Sequence, residues 1–335
     1  MRVLVTGGAG YIGSHACKAL ALAGHVPIVY DNLRTGHRWA VKWGPFEYGD
    51  ITDGQRLSEV LNRTRPDAVI HFAALAYVGE SIERPDLYYR TNVGGTITLL
   101  EAMRSHQINK LVFSSTCTIY GNAGSEPIAE TSDRRPVSPY GRSKLMAEQV
   151  IRDHVGAFPP LSAIALRYFN AAGADAEGEI GEEHDPEPHL LPLVLHTAIG
   201  LRPSIEIYGD DYDTPDGTCV RDYVHVVDLA RAHVAALDRN EMRGFAAYNL
   251  GAGRGVSVRA VIDAARRVTG RSIKSKIGPR RAGDPAILVA DTRVAQAELG
   301  WSPQQSSLEA LIESAWLWLS EHRARIAQPL PPAKP

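Results

Sequence analysis

The chain of 335 residues has a formal net charge of −2, with 44% hydrophobic and 22% charged residues. This length suggests about two domains with enough apolar residues for a substantial core. The near-neutral composition has neither the basic excess of nucleic-acid-binding proteins nor a polyanionic character. We therefore expect a globular protein that does not bind nucleic acid.

The apolar runs are far shorter than the roughly 20 residues that span a bilayer, so we expect no membrane association. The sequence starts directly with a strand pattern at Arg2–Thr6, so we expect no secretory or transit segment. Cys17, Cys117 and Cys219 are widely spaced and favour packing roles in a reducing cytoplasm. The histidine cluster at 184–189 contains prolines that rule out a helix aligning its two rings. We therefore expect no metal site.

The first thirty residues follow the order strand, glycine-rich turn, helix, strand, acidic residue, which is typical of dinucleotide binding. The turn has the spacing G-x-x-G-x-x-G, formed by Gly7, Gly10 and Gly13. Such a turn brings backbone N–H groups and a helix N-terminus to a pyrophosphate. Asp31 can accept hydrogen bonds from the adenine ribose and would repel a 2′-phosphate. The sequence therefore favours NAD over NADP, with Arg34 as the residue that argues for NADP.

Later β/α units end in residues that suit a cofactor. A strand over 46–48 is followed by Gly-Asp-Ile at 49–51, where a side chain could face the adenine. A buried-type strand over 68–72 opens into small residues at 73–75, which let the backbone run against the nicotinamide. A helix is predicted over 90–103. Because ligands bind at the carboxyl edge of open parallel sheets, we expect these strand ends to form one site.

Tyr140 and Lys144 are four residues apart in a predicted helix that Ser138 caps, so their side chains share one face. The lysine ammonium should lower the tyrosine pKa from about 10 toward neutrality. Such a phenol can take a proton from a sugar hydroxyl and return it. Thr116 ends a strand over 110–115 and could share a substrate oxygen with Tyr140; a structural role as a β-branched strand residue is equally compatible.

After residue 170 the β/α rhythm gives way to a segment at 171–220 rich in Gly, Pro, Asp and Glu, which is typical of long functional loops. Arg221 could hold a diphosphate through its guanidinium, with a surface salt bridge as the alternative. Asp228 is predicted to cap a helix over 229–237. Further elements are predicted as a loop at 180–189, helices at 190–200, 258–269 and 308–322, and strands at 205–208 and 248–250.

Several segments occur in an order that matches one known family: Gly7–Gly13, Asp31, Asp50, Phe113–Gly121, Tyr140–Lys144, Leu166–Asn170, Asp216–His225, Arg280–Asp284 and Leu299–Trp301. Through them the chain resembles the extended short-chain dehydrogenase/reductase superfamily over nearly its whole length. Within it the closest resemblance is to the UDP-glucose (UDP-galactose) 4-epimerase family. The resemblance implies an α/β fold with a Rossmann-type doubly wound parallel sheet. It places an NAD-binding domain at 1–170 with a return near 222–250, a smaller α/β UDP-sugar domain at 171–328, and a flexible tail at 329–335.

The resemblance also implies the residues of the site. Those expected to bind NAD are Gly7, Gly10, Tyr11, Ile12, Gly13, Asp31, Asn32, Asp50, Ile51, Phe72, Ala73, Ala74, Asn92, Ser114, Tyr140, Lys144 and Phe169. Those expected to bind the UDP-sugar are Thr116, Tyr140, Asn170, His189, Ile207, Tyr208, Arg221, Arg281, Asp284 and Leu288. The chain departs from well-known members of the family at four positions. Thr116 replaces a serine, Ala76 a lysine and His189 an asparagine, while Leu288 occupies a gating position that is aromatic in some members and small in others.

The implied activity is NAD-dependent inversion of C4 in a UDP-sugar, UDP-glucose or UDP-galactose, through a transient 4-keto intermediate. Tyr140 would act as base, helped by Thr116 and Lys144. A UDP-xylose/UDP-arabinose 4-epimerase remains an alternative with the same mechanism. A 4,6-dehydratase is disfavoured because Cys117-Thr118 follows Thr116 in place of an acidic pair, and a non-catalytic NAD-binding regulator because Tyr140 and Lys144 are retained. The resemblance also implies a homodimer, for which the helices near 90–103 and 138–154 would serve.

Overall fold

The computed structural model describes residues 1–124, 126–239, 243–281 and 284–326, the last four of these through their backbone. The strands are β1 (Arg2–Thr6), β2 (Val26–Asp31), β3 (Phe46–Tyr48), β4 (Ala68–His71), β5 (Lys110–Thr116), β6 (Ser162–Tyr168), β7 (Asn170–Ala172), β8 (Ile205–Tyr208), β9 (Val220–His225), β10 (Gly244–Leu250), β11 (Gly255–Ser257), β12 (Ser275–Gly278) and β13 (Ile287–Leu288). The helices are α1 (Tyr11–Leu22), α2 (Gly54–Thr64), α3 (Val78–Glu83), α4 (Pro85–Tyr88), α5 (Gly95–Ser105), α6 (Pro139–Ala157), α7 (Leu190–Ala198), α8 (Val226–Asp238), α9 (Val258–Thr269), α10 (Arg293–Leu299) and α11 (Leu308–Ile326).

A seven-stranded sheet with the order β10-β6-β5-β4-β1-β2-β3 forms the larger unit, and all of its neighbouring strands are parallel. The chain adds β2 and β3 on one side of β1, then returns to add β4, β5, β6 and β10 on the other side. The strand order therefore reverses between β1 and β4, which is where doubly wound sheets bind ligands. The predicted Rossmann-type fold is confirmed.

Helices cover both faces of this sheet, so its strands contribute to two apolar cores. On β1, Val3 and Val5 belong to the core that contains α8, whereas Leu4 belongs to the core that contains α2 and α5. Successive residues of a single strand thus pack into the two cores on opposite faces of the sheet.

The second half of the chain forms smaller sheets beside the large one. β11, β9 and β13 are neighbours, β7 pairs with β9, and β8 pairs with β12. A separate apolar core packs α7, α9 and α11 against these strands. β10 rejoins the large sheet beside β6, within the return predicted near 222–250. The domain boundary at residue 170 stays a prediction, and the predicted tail at 329–335 lies outside the described residues.

One predicted helix start is wrong. Helix α8 begins at Val226 and His225 caps it by accepting a hydrogen bond from Val227 N, so Asp228 is not the cap. Asp228 is buried, and its Oδ2 accepts from Gln304 N and Ser306 Oγ at 3.0 and 2.8 Å. It therefore holds a remote loop. The segment predicted as a helix over 90–103 is helical throughout, with π-type hydrogen bonds over Tyr89–Gly94 and α-type hydrogen bonds over Gly95–Ser105.

Among the described residues, no helix combines the length and the apolar character that a membrane span requires.

Candidate active site

A cavity of about 390 Å³ opens where β1, β2, β4, β5 and β6 end, at the reversal of strand order. It brings together most of the residues predicted for the cofactor: Gly7, Gly10, Tyr11, Ile12, Gly13, Asp31, Asn32, Asp50, Ile51, Phe72, Ala73, Ala74, Ser114, Tyr140, Lys144 and Phe169. Of those predicted for the substrate it includes Thr116, Tyr140, Asn170 and His189. Residues that the sequence interpretation missed also line it, among them Thr118, Tyr168, Glu182 and His184.

The glycine turn packs against the chain that follows β4. Gly7 has a φ of +72°, and a Cβ there would lie 2.6 Å from Ala73 N. A Cβ on Gly13 would lie 2.2 Å from the Gly7 carbonyl oxygen. A side chain at either position would force the backbone apart. The glycines therefore allow α1 to begin at the cavity wall, where the first N–H groups of a helix have no intrahelical partner and can bind a pyrophosphate.

Asp31 stands at the end of β2 beside this turn. Its Oδ2 accepts from Ala9 N at 3.0 Å and its Oδ1 from Leu33 N at 2.8 Å. Burial raises the pKa of the Asp31 carboxyl, and these two hydrogen bonds oppose that effect. Arg34, the residue that argues for NADP, lies 3.8 Å from the carboxylate of Glu80. The helix N-terminus, the glycine turn and a carboxylate at the end of β2 together fit NAD.

Asn92 does not line the cavity. It is buried, its Oδ1 accepts from Leu75 N at 2.8 Å, and its Nδ2 donates to Leu75 O and Ser143 Oγ at 3.0 and 2.9 Å. These bonds use both hydrogens of the amide. Asn92 therefore ties the chain that follows β4 to helix α6, where the sequence interpretation expected a cofactor contact.

Tyr140 and Lys144 share one face of α6, which Ser138 caps as predicted by accepting from Gly141 N. The predicted lowering of the Tyr140 pKa is wrong, however. Burial raises this pKa to about 12, and a hydrogen bond with Thr116 opposes the rise. Lys144 Nζ donates to Ser114 O at 2.8 Å, and burial lowers the pKa of Lys144 to about 7. Helical spacing sets the common face, but burial dominates both pKa shifts, opposed by Thr116 at Tyr140 and by Glu148 at Lys144.

A buried ion pair lies directly behind these residues. Arg167 on β6 donates from Nη2 to Glu148 Oε2 at 2.7 Å and from Nε to Glu148 Oε1 at 2.9 Å. Ser115 Oγ also donates to Glu148, so one carboxylate on α6 binds β5 and β6 together. Arg167 Nη1 also donates to the Tyr120 hydroxyl. The sequence interpretation missed this network because two charges 19 residues apart carry no recognisable spacing.

Asn170 is the predicted substrate residue that most directly connects the two halves of the chain. It lines the cavity, and its Nδ2 donates to the Asp222 carbonyl oxygen at 2.9 Å. Ile207 is 2% exposed and packs in the core of the smaller unit, so its side chain is unavailable to a ligand. The predicted substrate contact of Ile207 would therefore have to come from its backbone.

The remaining predicted substrate residues form a group beside the cavity. Arg221 Nη2 lies 4.0 Å from Asp284 Oδ1, and the Arg281 guanidinium lies 3.8 Å from the Tyr208 ring centre. Leu288 pairs with Arg221 in the register of β13 and β9. Leu288 also packs on an apolar cluster that includes two cavity-lining residues, Cys117 and Phe169.

The loop before α7 differs most from expectation. As the prolines predicted, no helix forms at 184–189, yet the ring centres of His184 and His189 are 5.3 Å apart. His189 Nδ1 lies 2.7 Å from Glu182 Oε1 and 3.1 Å from Glu187 Oε1. These carboxylates raise the pKa of His184 to about 9 and that of His189 to about 10. A non-helical loop brought these side chains together, which helical spacing rules cannot anticipate.

Residues 3–251 match the family described as NAD dependent epimerase/dehydratase, and the chain belongs to this family. Within it, the chain is similar to the UDP-glucose 4-epimerase of Rhizobium meliloti (strain 1021), with 51% identity over 95% of this chain and 97% of that protein.

Solved structures give the same result. The UDP-glucose 4-epimerase of Brucella ovis in complex with NAD is 52% identical, with a TM-score of 0.92 over 94% of this chain and 97% of that one. The UDP-glucose-4-epimerase of Stenotrophomonas maltophila, solved with bound NAD and formylated UDP-arabinopyranose, is 42% identical, with a TM-score of 0.94 over 98% and 100%.

Proposed function

We propose that this chain is an NAD-dependent 4-epimerase that interconverts UDP-glucose and UDP-galactose through a 4-keto intermediate. The observation that carries the proposal is the arrangement of one cavity. Thr116, Tyr140 and Lys144 line it together with the glycine turn and Asp31. An acid/base group and a dinucleotide site thus face the same space, as an oxidation at a sugar hydroxyl requires.

In this proposal Tyr140 removes the proton from O4 and later returns it, with the Thr116 hydroxyl holding the same oxygen. NAD, when bound, accepts and returns the C4 hydride, and its cationic nicotinamide favours the phenolate form of Tyr140. Lys144 adds positive charge whenever it is protonated. Burial of Tyr140 keeps water from competing for the proton.

Arg221, Arg281 and Asp284 are proposed to hold the UDP group while the sugar turns over. The proposal is supported by their position beside the cavity, with Leu288 and Asn170 between the two regions. A guanidinium can bind a diphosphate through two parallel hydrogen bonds. A fixed nucleotide and a sugar that can rotate are both needed, because inversion requires the hydride to return to the opposite face.

Incubation of the purified protein with UDP-glucose, UDP-galactose, UDP-xylose and UDP-arabinose, followed by NMR of C4, tests the function. We expect inversion of the hexoses, NAD that stays bound through purification, and no net NADH. Preferential turnover of the pentoses would instead assign the UDP-xylose/UDP-arabinose reaction. A 4-keto-6-deoxy product would indicate a 4,6-dehydratase, and no turnover of any UDP-sugar would contradict the proposal.

We further propose a homodimer in the cytoplasm. The dimer is supported by exposed apolar side chains on neighbouring helices, Ile97 on α5 and Met146 on α6. A cytoplasmic location is supported by three free cysteines, Cys17, Cys117 and Cys219, all of them buried.

A further inference from the structure

We propose that Glu182, His184, Glu187 and His189 form a binding site for one divalent transition-metal ion of the Zn²⁺ class. These four residues offer imidazole nitrogens and carboxylate oxygens that all lie within 4.8 Å of one another. The site lies in the wall of the cavity, contains none of the proposed catalytic residues, and shares His189 with the predicted substrate residues. It neither depends on the epimerase activity nor enters its mechanism.

The separations between the donor atoms are close to those of a tetrahedral site. His184 Nδ1 is 3.3 Å from Glu182 Oε1 and 3.5 Å from Glu187 Oε2. His189 Nδ1 is 2.7 Å from Glu182 Oε1 and 3.1 Å from Glu187 Oε1. Tetrahedral Zn²⁺ with bonds of about 2.0–2.1 Å requires ligand atoms roughly 3.3–3.4 Å apart. Of these four separations, only the 2.7 Å between His189 Nδ1 and Glu182 Oε1 differs from that value by more than a few tenths of an ångström.

The lack of a hydrogen bond at two buried donor atoms provides a second argument. The Glu182 side chain is only 6% exposed, yet Glu182 Oε1 and His184 Nδ1 have no hydrogen bond within the described part of the chain. The two atoms face each other at 3.3 Å without the alignment of an N–H···O bond. An unsatisfied buried polar atom costs about 1–3 kcal/mol. A bound metal ion would satisfy both atoms, with the two imidazoles in their neutral form.

The donor types select the class of ion. Two imidazoles with two carboxylates suit Zn²⁺ and similar transition metals, whereas Mg²⁺ and Ca²⁺ prefer oxygen ligands alone. Glu182, His184 and His189 also line the cavity, so a bound ion would hold this part of its wall in one conformation.

The test uses the full-length protein, dialysed against a chelator and then titrated with Zn²⁺ alone in competition with a chromogenic chelator. We expect one Zn²⁺ per chain and a Zn²⁺-dependent rise in melting temperature. His184→Ala and Glu187→Gln should each weaken binding at least about tenfold, since even residues that only support a ligand cost 10–100-fold. Mg²⁺ should not displace Zn²⁺.

His322→Ala provides the matched control. His322 Nε2 contacts Glu183 Oε2 of the same loop at 3.0 Å but offers no atom to the cluster. This variant should bind Zn²⁺ like the wild type. Absence of bound Zn²⁺ in the wild type, or equal affinity in the His184→Ala and His322→Ala variants, would overturn the proposal and identify the cluster as an ion-pair network of protonated histidines. Because the readout is metal binding, this result is independent of epimerase activity.

Discussion

At the scale of single residues, Tyr140 shows how strongly its surroundings control a reactive group. Burial raises its pKa to about 12, while the hydrogen bond to Thr116 works in the opposite direction. A phenol in such a site is a poor base until positive charge comes close to it. The reactivity of Tyr140 therefore depends on what else occupies the cavity.

Tyr140→Phe should lower turnover of UDP-galactose by about 10²–10⁴-fold, the usual effect of losing a general acid/base, with bound NAD unchanged. Steady-state rates and the NAD content of the purified variant measure the two effects. Tyr89→Phe is the control. The Tyr89 hydroxyl accepts a hydrogen bond from Arg142 on α6, the helix that carries Tyr140, and Tyr89 does not line the cavity. Equal activity of the two variants would remove Tyr140 from the mechanism.

Leu288 is predicted to limit the space around the C2 substituent of the sugar. It packs on the cluster that includes Cys117 and Phe169, so a larger side chain would press on the cavity. We expect slower turnover of the N-acetylated UDP-hexoses than of the plain hexoses. Leu288→Tyr should reduce the N-acetyl activity by a further factor of roughly ten to a hundred and spare the hexoses, which corresponds to about 1–3 kcal/mol of overpacking.

Ile287→Val is the matched control, because neighbouring residues of a strand face opposite sides. Rates with both substrate pairs should stay within a few fold of wild type in this variant. If Leu288→Tyr keeps the wild-type ratio between the two pairs, Leu288 does not limit the pocket.

At the scale of elements, helix α6 carries both the reactive residues and their anchor. Tyr140 and Lys144 occupy its first turns, and Glu148 follows Lys144 by one further turn. Glu148 binds Arg167 on β6 and Ser115 on β5, and both side chains of the ion pair are 2% exposed. The ion pair therefore fixes α6 against β6, and the Ser115 hydrogen bond fixes it against β5, the strand that ends in Thr116.

Glu148→Gln should lower the free energy of unfolding by about 3–5 kcal/mol, because it leaves the Arg167 charge buried without its partner. The matched control is Asp263→Asn, which breaks an exposed pair with Arg266 of the same 2.7 Å length and should cost less than about 1 kcal/mol. Denaturant-induced unfolding measures both values. Similar losses in the two variants would show that the buried pair does not anchor the helix.

At the scale of the whole molecule, the reversal of strand order creates the cavity, and the smaller unit supplies its second wall. Asn170 begins β7 directly after β6 and lines the cavity, while its amide donates to β9. The proposed nucleotide-sugar site therefore uses both halves of the chain. Neither half alone would hold a cofactor and a substrate in reacting positions.

A homodimer is the oligomeric state that we predict for the whole molecule. Light scattering coupled to size exclusion should give twice the chain mass of 36.4 kDa. Met146→Glu should shift the protein toward the monomer, because the charge would lose its hydration in an apolar interface. Leu22→Glu changes a side chain that is 80% exposed on α1 and should leave the dimer intact. A dimer that persists in the Met146 variant would exclude the proposed interface on α5 and α6.

The sequence alone determined the features that depend on local spacing. The glycine turn with its helix, the acidic residue at the end of β2, the cap of α6 and the shared face of Tyr140 and Lys144 all follow from short-range geometry. Such patterns predict structure well because backbone sterics and helical periodicity act over only a few residues. The fold class followed from them, because repeated β/α units lead to a parallel sheet.

Only the tertiary structure decided the features that depend on remote segments. Burial by residues distant in sequence raises the pKa of Tyr140, where the sequence predicted a fall. Asp228 accepts hydrogen bonds from a loop at 304–306, where the sequence predicted a helix cap. Asn92 forms hydrogen bonds with Leu75, and the loop at 182–189 brings two histidines and two glutamates together. In each case the energy of a polar group is set by desolvation and by partners distant in sequence, which no local pattern contains.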